Sequence, residues 1–163
     1  MKKSIAWLFA GFLLAAGLPP VRAVEWREDL AAAARDARQS RRLLLLNFSG
    51  SDWCGWCKRL DAEVFSQPAF EAYARSNLVA VVADFPQRTP QDPALQAQNM
   101  RLLRHFQVNT FPRLLVFSPD GELIGELGYQ PGGAEAFIRA LQQARARHQM
   151  RRPGDPSGPR LPL

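Results

Sequence analysis

The run LLLLNFSG at residues 43–50 is the strongest constraint on the fold, because a strand-length segment without polar alternation must be covered on both faces. Such a strand lies inside a sheet with helices above and below it. A second apolar, β-branched run, LVAVVADF at 78–85, makes the same demand. Between them the spacing becomes helical twice. From Cys54 to about Val64, Cys57, Leu60 and Val64 share one side while Lys58, Arg59 and Asp61 turn away from it; then Pro68 opens a segment with Phe70, Tyr73 and Ala74 inward. Two buried strands joined through helices imply a right-handed crossover and parallel pairing.

Upstream, EWREDLAAAARDARQSRR places Trp26, Leu30, Ala33, Ala34 and Ala37 at steps of three and four, which predicts an amphipathic helix. Downstream, PQRTPQ is a loop, and Asp92-Pro93 provides an N-cap and a first-turn proline for a helix with Leu95, Leu102, Leu103 and Phe106 on its apolar side. RLLVFSPDGELIGEL contains two short strands around Ser118-Pro119-Asp120-Gly121, a type I turn pattern that predicts a hairpin. Ala134, Phe137, Ile138 and Leu141 then begin a last helix reaching about His148. The predicted order is α-β-α-β-α-β-β-α: an α/β domain with a central mixed sheet flanked by helices.

Both ends fall outside that domain. Residues 1–23 open with Lys2 and Lys3, continue through an apolar block from Ile5 to Leu18 and reach Val21-Arg22-Ala23, the pattern of a signal peptide cleaved after about Ala23. The block is shorter than the ~20 residues of a spanning helix, so the mature chain is not expected to span a membrane. The domain is read as 24–150, and the Pro/Arg-rich tail 151–163 as disordered. These ends hold most of the formal charge of +6. Lys2, Lys3 and Arg22 leave with the signal, and the tail sets Arg151, Arg152 and Arg160 against Asp155, which leaves the domain itself only +1. No basic patch interleaved with aromatics is visible, so nucleic acid is not an expected partner.

Cys54 and Cys57, three positions apart, are the chain's two cysteines. As a structural staple they would close almost no loop and contribute little stability. A structural zinc site needs four ligands, and beyond the two thiols only His105 and His148 are on offer. Haem attachment requires histidine after the second cysteine, where Lys58 stands. The redox reading needs no cofactor and fits the position as well as the spacing. A buried strand runs out, a Gly/Ser/Asp loop follows, and Cys54 opens a helix whose free N–H groups and dipole stabilise a thiolate. Cys54 is then the expected exposed attacking thiol and Cys57 the sheltered resolving one, with Lys58 supporting the positive field.

Strand, loop, Trp53-Cys54-Gly55-Trp56-Cys57-Lys58 and helix together resemble the active-site segment of the thioredoxin superfamily, and within it exported bacterial proteins bearing a GSDWCGWC-type segment. The resemblance spans about 40–145 and implies a thioredoxin fold. It also gives Thr110-Phe111-Pro112 a role: Pro112 would be a cis-proline lying against the redox pair and holding extended substrate backbone. Three departures accompany it. The acidic residue that thioredoxins carry on the first central strand falls at Asn47, and an amide is no base. Asp61, Glu63 or water would have to serve in its place, although a solvated helix face is the preferred account of both acids. The middle dipeptide Gly55-Trp56 matches neither thioredoxin nor the histidine-containing pairs. Phe111 stands where smaller β-branched residues are usual, so Trp53, Trp56 and Phe111 could form an aromatic rim around Cys54 that grips an apolar peptide; packing on the sheet edge is the alternative.

The expectation is therefore an exported, periplasmic thiol–disulfide oxidoreductase acting on protein disulfides or dithiols. The periplasm drives an unassisted dithiol toward the disulfide, so a membrane redox partner would supply or accept electrons. The rival reading is a binding module or chaperone that keeps the groove for extended polypeptides without using the cysteines.

Overall fold

The computed structural model describes residues 23–151 and 159–162. The elements are strand β1 (Trp26–Arg27), helix α1 (Leu30–Ser40), strand β2 (Leu43–Ser49), helix α2 (Gly55–Leu60) continued by a π-helical turn (Asp61–Phe65), helix α3 (Pro68–Asn77), strand β3 (Leu78–Asp84), helix α4 (Pro93–His105), strands β4 (Arg113–Phe117) and β5 (Leu123–Leu127), and helix α5 (Gly133–Met150). The sheet runs β1-β3-β2-β4-β5. β2 is parallel to β3 and antiparallel to β4, and β4 and β5 form the antiparallel hairpin. No helix among the described residues is long and apolar enough to cross a membrane.

All seven residues of β2 are buried, as a central strand between two helical layers requires. Alternation sends Leu44, Leu46 and Phe48 into a core with Ala33, Ala34 and Ala37 of α1 and Leu102 of α4. Leu43 and Leu45 face the other way, into a core with Leu60, Val64, Phe65, Phe70, Phe137 and Leu141. Local chemistry starts the helices, at α4 as the sequence predicts. Asp29 caps α1 by accepting from the Ala32 N–H at 2.9 Å, and Asp92 caps α4 by accepting from Ala94 and Leu95. The Ser118–Gly121 turn closes through the Gly121 N–H and the Ser118 carbonyl at 2.9 Å, with Gly121 at φ +80°.

Three expectations are corrected. Trp26 does not belong to the first helix. Asp29 starts α1 only at Leu30, while Trp26 and Arg27 pair in parallel with Ala80 and Val81 of β3, and the Trp26 ring packs 4.9 Å from that of Phe65. The helix carrying the cysteines widens into a π-helical turn at Asp61–Phe65, bringing Val64 and Phe65 both into the core. The tail is not disordered throughout. The Pro159 carbonyl accepts from Leu123 N–H, Leu161 N–H donates to the Gly121 carbonyl, and Leu161 packs against the α1-side core. The mixed hairpin edge still offers backbone partners, and Leu161 covers apolar surface there. The last helix runs two residues past His148, which faces Glu122 of the hairpin at 3.7 Å. The signal-peptide reading falls on residues 1–22, and part of the tail reading on 152–158, all outside the described residues.

Candidate active site

The site lies where β2 and β3 end. The chain leaves β2 through a tight turn in which the Gly50 carbonyl accepts from the N–H groups of Trp53 and Cys54. Two carboxylates hold this turn against the segment after β3. Asp84 accepts from the Ser51 N–H at 2.8 Å and the Ser51 hydroxyl at 2.5 Å. Asp52 accepts from three successive backbone N–H groups, those of Gln87, Arg88 and Thr89. These bonds, the one from Gln87 foremost, hold the Asp52 carboxyl below its usual range. Lys58 donates to the Asp52 carbonyl at 3.1 Å, placing its ammonium over the loop that leads into the cysteines.

Cys54 is the N-cap of α2, and its Sγ accepts from the Cys57 N–H at 3.1 Å. Cys54 and Cys57 are joined as a disulfide, with Cα atoms 5.3 Å apart. The expected contrast between an exposed Cys54 and a sheltered Cys57 is absent in this oxidised form, since they are 5% and 7% exposed. Bonding to Cys57 folds the Cys54 side chain back onto the first helical turn, where the N–H also holds it.

Phe111–Pro112 is a cis peptide, as the resemblance implied for Pro112. The aromatic rim, in contrast, separates into two pairs. Trp53 stands edge-on to Phe111 with centroids 5.7 Å apart, and its indole N–H donates to the Phe85 carbonyl at 2.7 Å. Phe111 in turn packs 5.4 Å from Phe85. Trp56 does not join them; its ring lies 5.0 Å from that of Tyr129, beyond the end of β5.

Asn47 is buried on β2, paired between Val82 and Leu114, and alternation places it on the face covered by α2 and α5. Its Oδ1 has no hydrogen-bond partner. The two acids proposed as its substitutes are engaged at the surface. Asp61 accepts weakly from Ser66 at 3.4 Å, whereas Glu63 accepts from Arg59 Nε at 2.7 Å and from the Tyr129 hydroxyl at 2.7 Å. Arg59, then Tyr129, holds the Glu63 carboxyl below its usual range, and the bond to Glu63 raises the Tyr129 phenol. Glu63 is thus not a freely solvated acid: both of its carboxylate oxygens are engaged, one by Arg59 and the other by Tyr129.

Sequence reasoning missed Tyr129, Arg59 and the two carboxylate clamps. Asp84 ends a strand and Asp52 precedes Trp53, but nothing local identifies the amides they bind 33 to 37 residues away.

Comparison with known proteins agrees with this geometry. The Thioredoxin-like domain family matches residues 30–145. The disulfide bond reductase DsbH of Chlamydia pneumoniae is 30% identical over 121 residues, covering 74% of this chain and 72% of that protein. The thioredoxin-related protein DsbJ of the same organism is 29% identical over 129 residues, but they make up only 37% of its length. Among solved structures, a DsbH oxidoreductase superposes with a TM-score of 0.73 at 26% identity, covering 87% of this chain and 97% of that one. A mixed sheet carrying a CxxC pair at a helix start, and a cis-proline at the start of β4, together with these likenesses, make the chain a member of the thioredoxin-like family and a thiol–disulfide oxidoreductase.

Proposed function

We propose that this protein is exported and reduces disulfides in protein substrates, with Cys54 attacking and Cys57 resolving. The observation that carries this reading is the Cys57 N–H directed at Cys54 Sγ at the first turn of α2, with Trp53, the residue before Cys54, packed on Phe111 of the cis Phe111–Pro112 peptide. In the dithiol form the same N–H and the helix start would stabilise a Cys54 thiolate. The thiolate attacks one sulfur of the substrate disulfide, forming a mixed disulfide and expelling the other sulfur as a thiolate that takes up a proton. Cys57 then loses its proton and attacks Cys54 Sγ, releasing the second substrate thiol and leaving the Cys54–Cys57 disulfide. Two electrons pass from the dithiol to the substrate, so each cycle requires a reductant, which for an exported protein would be a membrane dithiol donor. The similarity to a protein named a disulfide bond reductase favours this direction. Cis-Pro112, with Trp53 and Phe111 at its side, would receive the extended substrate backbone.

The test is the reduction potential of the pair, obtained by equilibrating the chain against dithiothreitol or glutathione buffers and counting thiols by mass. A value near about −270 mV is expected for a reductase, and one nearer about −120 mV would overturn the assigned direction. Cys57→Ser should trap a mixed disulfide with substrate that Cys54→Ser does not form. N-terminal sequencing of the exported chain tests cleavage after Ala23.

A further inference from the structure

Trp53 and Trp56 each immediately precede one of the cysteines, and each packs against a different set of side chains. On the Trp53 side the partners are Phe85 and Phe111. On the Trp56 side they are Tyr129 and Arg59, whose guanidinium lies 5.5 Å from the Trp56 centroid and 5.2 Å from that of Tyr129. Glu63 fastens this second group, with one carboxylate oxygen on Arg59 and the other on the Tyr129 hydroxyl. The backbone leading into Tyr129 passes the cis-proline: a Cβ added to Gly128, the residue before Tyr129, would lie 3.5 Å from the Pro112 carbonyl oxygen. Trp56 nevertheless remains 54% exposed.

We propose that Tyr129 is a specificity residue: together with Trp56 it forms a second aromatic wall beside the redox pair, selecting protein disulfides in which an apolar residue flanks the attacked cysteine. The proposal rests on the oxidoreductase reading above and deepens it. A large aromatic surface left half exposed yet packed against two neighbours, Tyr129 and Arg59, loses little conformational freedom when it binds. Arg59 is already paired through its Nε with Glu63, so the wall carries no net charge and offers a charged flanking residue little net attraction. Such a residue would lose water against the indole with little to offset it. An apolar or aromatic residue gains contact area instead.

The experiment uses two peptide disulfides that differ only in the residue beside the cysteine, leucine or aspartate, and measures kcat and KM together with the reduction potential. Tyr129→Ala should raise KM for the leucine peptide by about tenfold, the scale of losing one interface aromatic, and move the aspartate peptide little. The effect should fall on KM rather than on kcat or the potential. Tyr129→Phe keeps the ring and loses the bond to Glu63; it should give a smaller rise on the same peptide and serves if the alanine variant folds poorly. An equal rise for both peptides, or no rise for either, overturns the proposal. Failure of the unmodified protein to turn over either peptide would overturn the oxidoreductase reading instead.

Discussion

Gly50 is the buried residue at which β2 turns toward the cysteines, and the indole of Trp53 lies directly against it. A Cβ added there would be 2.6 Å from Trp53 Nε1 and 2.7 Å from Cζ2, distances real side chains do not tolerate, so in Gly50→Ala the indole must move. Moving it breaks the 2.7 Å bond to the Phe85 carbonyl, about 0.5–1.5 kcal/mol, and the edge-on contact with Phe111, about the same again. The sum is about 1–3 kcal/mol, a fall in Tm of roughly 4–12 °C for a domain of this size. Gly55→Ala provides the internal control. Nothing lies within 4 Å of its added Cβ, and it is the first residue of α2, where alanine in place of glycine should stabilise by about 0.4–1 kcal/mol. Thermal unfolding of both oxidised variants decides the matter, with near-ultraviolet circular dichroism reporting the indole. If Gly50→Ala melts at or above the unsubstituted protein, the close approach of Trp53 does not constrain this turn and the reasoning is refuted.

Phe137 is 1% exposed and meets both Phe65 and Phe70 edge-on at 5.8 Å, so Phe137→Ala should cost about 3–5 kcal/mol by chemical denaturation; less than ~1 kcal/mol would mean the core collapses around the gap. Leu161→Ser should cost about 1 kcal/mol and speed hydrogen exchange at the Leu123 and Leu161 amides, and unchanged exchange would show that the tail pairing contributes nothing. Asp52 has a depressed folded pKa, so the stability it adds is complete above its unfolded value and is lost as pH falls through the folded one. Asp52→Ala should therefore speed exchange at Gln87, Arg88 and Thr89 near neutrality, and its stability deficit should narrow below about pH 4; a deficit independent of pH would remove the carboxylate from the account.

Much of this molecule is settled by stretches of ten to fifteen residues. The apolar runs at 43–49 and 78–84 make buried strands wherever they are placed, because no face of either can be left to water. Asp29, Asp92 and Pro68 start helices through bonds and dihedrals confined to the first turn. Cys54 and Cys57 are one helical turn apart by spacing alone, and Phe111-Pro112 was recognisable by resemblance. Local periodicity failed where a residue's partner is remote. Trp26 fits a helical stripe with Leu30, yet β3 had an open edge, and pairing with Ala80 took Trp26 out of the helix. Trp56 was grouped with Trp53 because they are neighbours in sequence, but the order of the sheet placed Tyr129 beside one and Phe111 beside the other. Glu63 reads as a surface acid until the end of β5 brings a hydroxyl from 66 residues away to 2.7 Å. Spacing along a chain reports which side chains share a face of one element; which face meets which is decided only when the strands take their order, and that order built the walls around the redox pair.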